Sequence, residues 1–173
     1  MKIFLICFTS LLLLYGCSSR DSAPATYISL TPYKPDTSSD DIPYKLRKHN
    51  PITQTIYEQY KKWYNTPYKY GGMSCNGIDC SALVQIVYKD GFGIHVPRDT
   101  AHQAKSGFFV KKSAIKEGDL VLFKTGYRSK HSGIYLEYGN FLHTSTKYGV
   151  IISNINNPYW KQHYWQTRRI LAY

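Results

Sequence analysis

The spacing of apolar residues changes period at Gly118, and that change restricts the fold more than any other feature of the chain. Before it, Ile52, Ile56, Tyr60, Trp63 and Tyr64 recur at helical spacing, and Leu83, Val84, Ile86 and Val87 make a second apolar stripe. After it, short apolar runs are separated by turn residues at Gly126, Gly139 and Gly149. These runs predict strands at 119–123, 132–137, 141–146, 150–154 and 169–173. Helices first and an antiparallel sheet of five to six strands afterwards make an α+β domain. Asn50-Pro51 supplies a cap and a first-turn proline for the first helix, which Pro67 and Gly71-Gly72 bring to a close. The second helix begins at Asp79-Cys80 and stops before Gly91 or Gly93. A third, short one follows Asp99, over Thr100 to Lys105.

The chain opens Met1-Lys2 and then runs apolar from Ile3 to Tyr15. That run is too short for a spanning helix, which needs roughly 20 residues, and it has the form of an export signal. It ends Leu14-Tyr15-Gly16-Cys17, followed by Ser18-Ser19. This resembles a bacterial lipobox, which implies lipidation of Cys17 and loss of residues 1–16. An ordinary signal peptide with an incidental Cys, or an uncleaved anchor, is the rival reading. Ser18, where an Asp would favour inner-membrane retention, implies the outer membrane, facing the periplasm. Two or more acyl chains anchor stably where one does not.

Residues 17–50 are rich in Ser, Thr, Asp and Pro and read as a lipid-anchored flexible tether reaching roughly 30 Å. The rival is an arm that docks through Tyr27, Ile28, Leu30 and Tyr33. Residues 51–173 form the domain. With 17 Tyr, 7 Phe and 3 Trp, the chain is too aromatic to be disordered throughout. The net charge of +11 calls for an anionic partner, and it falls only to about +10 when Lys2 leaves with the signal. Lys and Arg are scattered and the chain reads as exported, so an anionic cell envelope fits better than nucleic acid.

Cys80 opens the second helix in Gly77-Ile78-Asp79-Cys80-Ser81. Helix N-terminal N–H groups and dipole favour a thiolate, so a lowered thiol pKa and a nucleophilic role are expected; a buried structural Cys is the alternative. A Cys nucleophile needs a base, and His131 and His143 lie on adjacent hairpin strands. A two-residue loop pairs 131 with 146 and puts the imidazoles on opposite faces of the sheet. A three-residue loop, Glu137-Tyr138-Gly139, pairs 131 with 145 and puts them on one face. Gly139 suits that longer loop, so an odd-length loop or a bulge is expected. A zinc site built from Cys75, Cys80 and two His is the rival, though Cys-x4-Cys is not a usual zinc spacing.

In order along the chain come Thr66-Pro67-Tyr68-Lys69-Tyr70-Gly71-Gly72, Gly77-Ile78-Asp79-Cys80-Ser81, Pro97-Arg98-Asp99-Thr100, Glu117-Gly118-Asp119-Leu120-Val121, His131-Ser132-Gly133-Ile134-Tyr135 and Phe141-Leu142-His143. Together with the stretch from Pro158-Tyr159-Trp160 to Ile170, they resemble the NlpC-type cell-wall cysteine peptidase family, and its small lipoprotein members in particular. The resemblance covers about residues 52–173. It implies a papain-like core and hydrolysis of peptidoglycan stem peptides at the γ-D-glutamyl–diaminopimelate bond. It implies Cys80 as nucleophile, His131 as base and His143 as the residue that orients it. It also implies Tyr68, Asp79 and Ser81 as substrate-binding residues, with Asp79 equally a helix cap, and Arg98 as a brace for a loop. No metal or organic cofactor is needed, and a monomer is expected.

Two departures stand out. Ala82 replaces the usual Gly after the Cys-Ser pair, which is expected to be harmless in a helix. Ser132 replaces the usual Val after the base, and should point away from His131 with small effect. Cys75 is an additional thiol, and a Cys75–Cys80 bridge would silence a Cys80 nucleophile. The alternative function is a non-catalytic peptidoglycan-binding or regulatory envelope lipoprotein; a related amidase or acyltransferase is a third reading. Retention of Cys80, His131 and His143 together argues for the enzyme.

Overall fold

Asn50 caps the first helix, and the computed structural model describes the protein from that residue to Ala172. The signal, Cys7, the lipidation site Cys17, the tether with its docking alternative, and Tyr173 lie outside the described residues.

Helix α1 spans Pro51–Trp63, with the Asn50 side chain accepting from the Thr53 N–H at 2.9 Å. A two-stranded hairpin follows, β1 at Met73–Ser74 and β2 at Gly77–Ile78. Helix α2 spans Cys80–Phe92 and ends at Gly93, whose φ of 69° closes the cap through N–H bonds to Lys89 and Tyr88 carbonyls. Gly91, one of the two expected stops, lies inside α2: a Cβ there would stand 2.9 Å from the Thr55 methyl, so the glycine lets α1 and α2 approach closely. Helix α3, Thr100–Gln103, follows its Asp99 cap. The short strand β3, Phe108–Val110, and a 3-10 turn at Lys112–Ala114 complete the first half.

Strands β4 (Leu120–Lys124), β5 (Lys130–Tyr135), β6 (Asn140–Ser145) and β7 (Gly149–Asn154) form an antiparallel meander. Helix α4 (Pro158–His163) leads into β8 (Tyr164–Arg169). The sheet has six strands in the order β3-β8-β4-β5-β6-β7. The last strand therefore runs earlier than the 169–173 expected. Tyr164 to Arg169 fills the space between β3 and β4, and the Arg169 guanidinium grips the buried Asp119 carboxylate with two bonds of 2.8 Å. Four short elements, β1, β2, β3 and α4, went unread because two- to six-residue segments carry little periodicity.

Alternation along the strands divides the core between two faces. Leu120, Leu122, Ile134, Leu136 and Leu142 pack with Ile56, Leu83, Val84 and Val87 of α1 and α2. Val121, Phe123 and Phe141 point the other way, with Trp160 and Tyr164 packed against them. No helix among the described residues is long and apolar enough to cross a membrane.

Candidate active site

The start of α2 is built around Asp79. Its Oδ1 accepts from the Ala82 N–H at 2.8 Å, the Ser81 hydroxyl at 3.0 Å and Arg98 Nη1 at 2.8 Å. Its Oδ2 accepts from the Gly71 N–H at 2.9 Å and Arg98 Nη2 at 2.7 Å. Burial would raise this carboxyl, but the bonds from Arg98, Ala82 and Ser81 outweigh it and hold Asp79 below the usual carboxylate range. Asp79 is thus a helix cap and the anchor of the 71–72 turn. Arg98 braces that turn, and Gln103 Nε2, donating to the Ser81 carbonyl at 2.9 Å, ties α3 to the same spot.

Cys80 is buried and carries a free thiol, so it is not bridged to Cys75. Burial pushes the thiol up, and the Asp79 carboxylate adds to this. The Ser132 N–H and hydroxyl and the Thr100 hydroxyl work in the opposite direction. The expectation of a lowered pKa is therefore reversed in the substrate-free protein: a helix N-terminus alone does not overcome loss of water around the sulfur. Tyr68 is bridged to Ile78 beside this point, and burial followed by the proximity of Cys80 and Asp79 raises its hydroxyl.

The β5–β6 hairpin has the three-residue loop. Ile134 pairs with Leu142 and Tyr135 with Phe141, and the Leu136 N–H bonds to the Asn140 carbonyl at 2.8 Å. Tyr138 and Gly139 both take positive φ, 53° and 82°. His131 and His143 accordingly share a face, with His131 Nε2 2.9 Å from His143 Nδ1. His143 Nε2 lies 2.9 Å from the Ser153 hydroxyl on β7. Two sets of tautomers fit these contacts, because the Ser153 hydroxyl can donate or accept; in one of them His131 donates from Nε2, His143 donates from Nε2 to Ser153, and His131 keeps a lone pair on Nδ1. Phe123, Phe141 and Trp160 surround the pair, with the Trp160 ring 5.3 Å from His131 and 4.9 Å from His143 between centroids. Burial lowers His131 to about 4, and burial with the neighbouring His131 drives His143 well below the imidazole range. Both rings are neutral at pH 7, and Cys80 is a neutral thiol.

The site thus holds a buried thiol at a helix N-terminus, faced by Ser132 of β5, and a hydrogen-bonded imidazole pair whose first member, His131, precedes Ser132 on that strand. Residues 65–169 match the NlpC/P60 family. The chain belongs to the NlpC/P60 family. The murein DD-endopeptidase MepS/murein LD-carboxypeptidase of Escherichia coli K12 is 38% identical over 164 residues, covering 92% of this chain and 87% of that one. The gamma-DL-glutamyl hydrolase of Bacillus subtilis 168 is 33% identical over 139 residues, covering 79% of this chain but 31% of that protein. The crystal structure of an NlpC/P60 family protein from Bacillus cereus ATCC 10987 superposes with a TM-score of 0.63 at 31% identity, covering 69% of this chain and 40% of that one. This chain spans less than half of that structure. The six-stranded antiparallel sheet with its helices is the α+β, papain-like fold of these neighbours.

Within this NlpC/P60 domain, the structure gathers Tyr68, Asp79, Cys80 and Ser81 at the start of α2, and brings His131 and His143 into contact with each other. Among the described residues, no group of three or more His, Cys, Asp or Glu is arranged to hold a metal ion. Three participants escaped the sequence reading. Ser153 is found only from the β6–β7 register, which pairs Phe141 with Ser153. Thr100 was read as no more than a helix start. Ser132 does point away from His131, as alternation requires, but that direction carries it to the face where α2 and Cys80 lie.

Proposed function

We propose that the protein is a peptidoglycan endopeptidase that cleaves stem peptides by a Cys-His-His mechanism, with Cys80 as nucleophile, His131 as base and His143 orienting it. The observation that carries this reading is the chain of 2.9 Å contacts from His131 Nε2 to His143 Nδ1 and from His143 Nε2 to Ser153, on the strand that adjoins Cys80; with the Nε2 proton on His131, its Nδ1 is left to accept a proton. Substrate enters against a neutral thiol and a neutral imidazole. The Cys80 proton passes to His131 Nδ1 as sulfur attacks the carbonyl carbon, and first-turn N–H groups of α2, Cys80's foremost, face the oxyanion. The imidazolium returns the proton to the leaving amine, and water then releases the acyl group. Tyr68 and Ser81 border the thiol and would contact the substrate, with Asp79 holding the Ser81 hydroxyl.

The bond we propose is γ-D-glutamyl–diaminopimelate, supported by the motif around Asp79-Cys80-Ser81 and by the name of the B. subtilis relative. A second reading, a D,D bond, is favoured by the name of the E. coli relative, which matches nearly the whole chain. We further propose attachment to the outer membrane through lipidated Cys17, on the strength of Leu14-Tyr15-Gly16-Cys17. Defined muropeptides, incubated with wild type and Cys80→Ala and analysed by mass, test the enzyme. The expected result is Cys80-dependent cleavage, with product masses assigning the bond; binding without cleavage by wild type would instead mark a non-catalytic lipoprotein. Labelled palmitate incorporation that disappears in Cys17→Ala is the expected result for the anchor.

A further inference from the structure

Ser132 is fully buried and belongs by alternation to the sheet face that packs on α2, among Leu122, Ile134 and Leu136. The other buried side chains of β4 and β5 on that face, Leu120, Leu122 and Ile134, are apolar. A hydroxyl there loses water, and its Oγ has no hydrogen-bond partner in the resting protein. What lies in front of it is the sulfur of Cys80, which the Ser132 hydroxyl and N–H and the Thr100 hydroxyl all favour as an anion. The Ser132 hydroxyl meets the sulfur outside hydrogen-bond geometry, and a neutral thiol is a weak acceptor. A thiolate is a strong one.

We propose that Ser132 is a positioning residue for the nucleophile: its hydroxyl, with that of Thr100, closes on the Cys80 sulfur as the thiolate forms. This rests on the reading of Cys80 as nucleophile. A donor that is orphaned in the ground state and satisfied in the charged state lowers the energy of the second relative to the first, which is the condition for accelerating a reaction. No bond to Ser132 is broken; the proton travels from Cys80 Sγ to His131 Nδ1. Asp79 opposes the thiolate, while Arg98 favours it; Tyr68 interacts with it as well, and His131, the proposed base, precedes Ser132 on β5. All four remain unchanged in the variants below, so a shift between variants reports the hydroxyls.

The test is alkylation of Cys80 by iodoacetamide in the full chain. The modified Cys80 peptide is quantified by mass so that the other cysteines do not contribute, across a range from about pH 6 to about pH 11.5, which brackets a thiol raised by burial. Ser132→Ala and Ser132→Val are expected to move the midpoint to higher pH and to slow alkylation below it by about tenfold, the size of one hydrogen bond to a charged group. The alkaline plateau, where the thiolate is fully formed, should stay put. Thr100→Val is expected to move the midpoint in the same direction, and Ser132→Thr to keep it near wild type. A serine that merely filled space would leave the midpoint where it was. An unmoved midpoint in both Ser132→Ala and Ser132→Val, with circular dichroism unchanged, overturns the proposal. A wild-type Cys80 that resists alkylation at every pH overturns the nucleophile reading itself.

Discussion

His131 has to be neutral to act as a base, and its surroundings make it so by exclusion of water rather than by a charged partner. Trp160, tilted by 31° to the ring with 5.3 Å between centroids, stands nearer to it than Phe123 does. It comes from α4, a six-residue helix held by Pro158 and the Asn157 cap. Replacing it admits solvent, and solvent favours the imidazolium. Trp160→Ala is therefore expected to raise His131 from about 4 toward the ordinary imidazole value, read from the ring nitrogen shifts in NMR across the titration. A value that stays near 4 would mean that the sheet alone dries the ring. His143 and Ser153 are expected to matter differently, since they hold the tautomer and not the desolvation. The residue types Cys80, His131 and His143 were legible in the sequence because each carries its chemistry in its side chain. Ser153, Thr100 and Ser132 were not, because a hydroxyl gains its role only from what the register sets in front of it.

At the scale of elements, the site depends on how closely β5 and β6 approach. Gly133 lies between His131 and Tyr135 on the aromatic face. A Cβ there would stand 2.6 Å from the Leu142 carbonyl, 2.7 Å from Phe141 Cδ2 and 3.2 Å from His143 Cβ. The first of these is backbone and cannot turn aside. Gly133→Ala is thus expected to force the strands apart, costing about 1–3 kcal/mol. It should also lengthen the contact between the two imidazoles. Chemical denaturation should show the loss of stability, and hydrolysis should fall by far more than the fraction of unfolded protein accounts for. Activity equal to wild type in a destabilised variant would count against the need for this close approach. The hairpin register itself was legible, since an odd-length loop or a bulge puts both imidazoles on one face and Gly139 suits the three-residue loop that is found. The position of β8 was not, because its place between β3 and β4 is set by Asp119 and Arg169 meeting across the sheet, a contact 50 residues apart in sequence.

The whole molecule couples this chemistry to its stability. The α+β order was readable from one change of period, and the helix caps at Asn50, Asp79 and Asp99 all stand where the sequence sets them. The same fold leaves two imidazoles buried and uncharged, and these protonate readily once the chain unfolds. A histidine held at about 4 when folded and near 6.5 when unfolded contributes its full stability above about pH 6.5. As pH falls between those values, the unfolded chain binds the proton and the folded one does not, so stability declines. For His131 the loss approaches about 3 kcal/mol by pH 4. His143, lowered further, acts in the same direction over the same range and below it. Asp79 adds its share lower down: its depressed carboxyl stabilises above the unfolded value, and that contribution is lost as pH falls through the folded one. Urea midpoints are therefore expected to fall steadily from about pH 7.5 to about pH 4.5, before most carboxylates titrate. His131→Gln removes one of the two imidazoles, and its midpoint should decline less steeply over the same interval. Midpoints that stay level in the wild type would show that the imidazole pair takes up protons without leaving its shell of Phe123, Phe141 and Trp160.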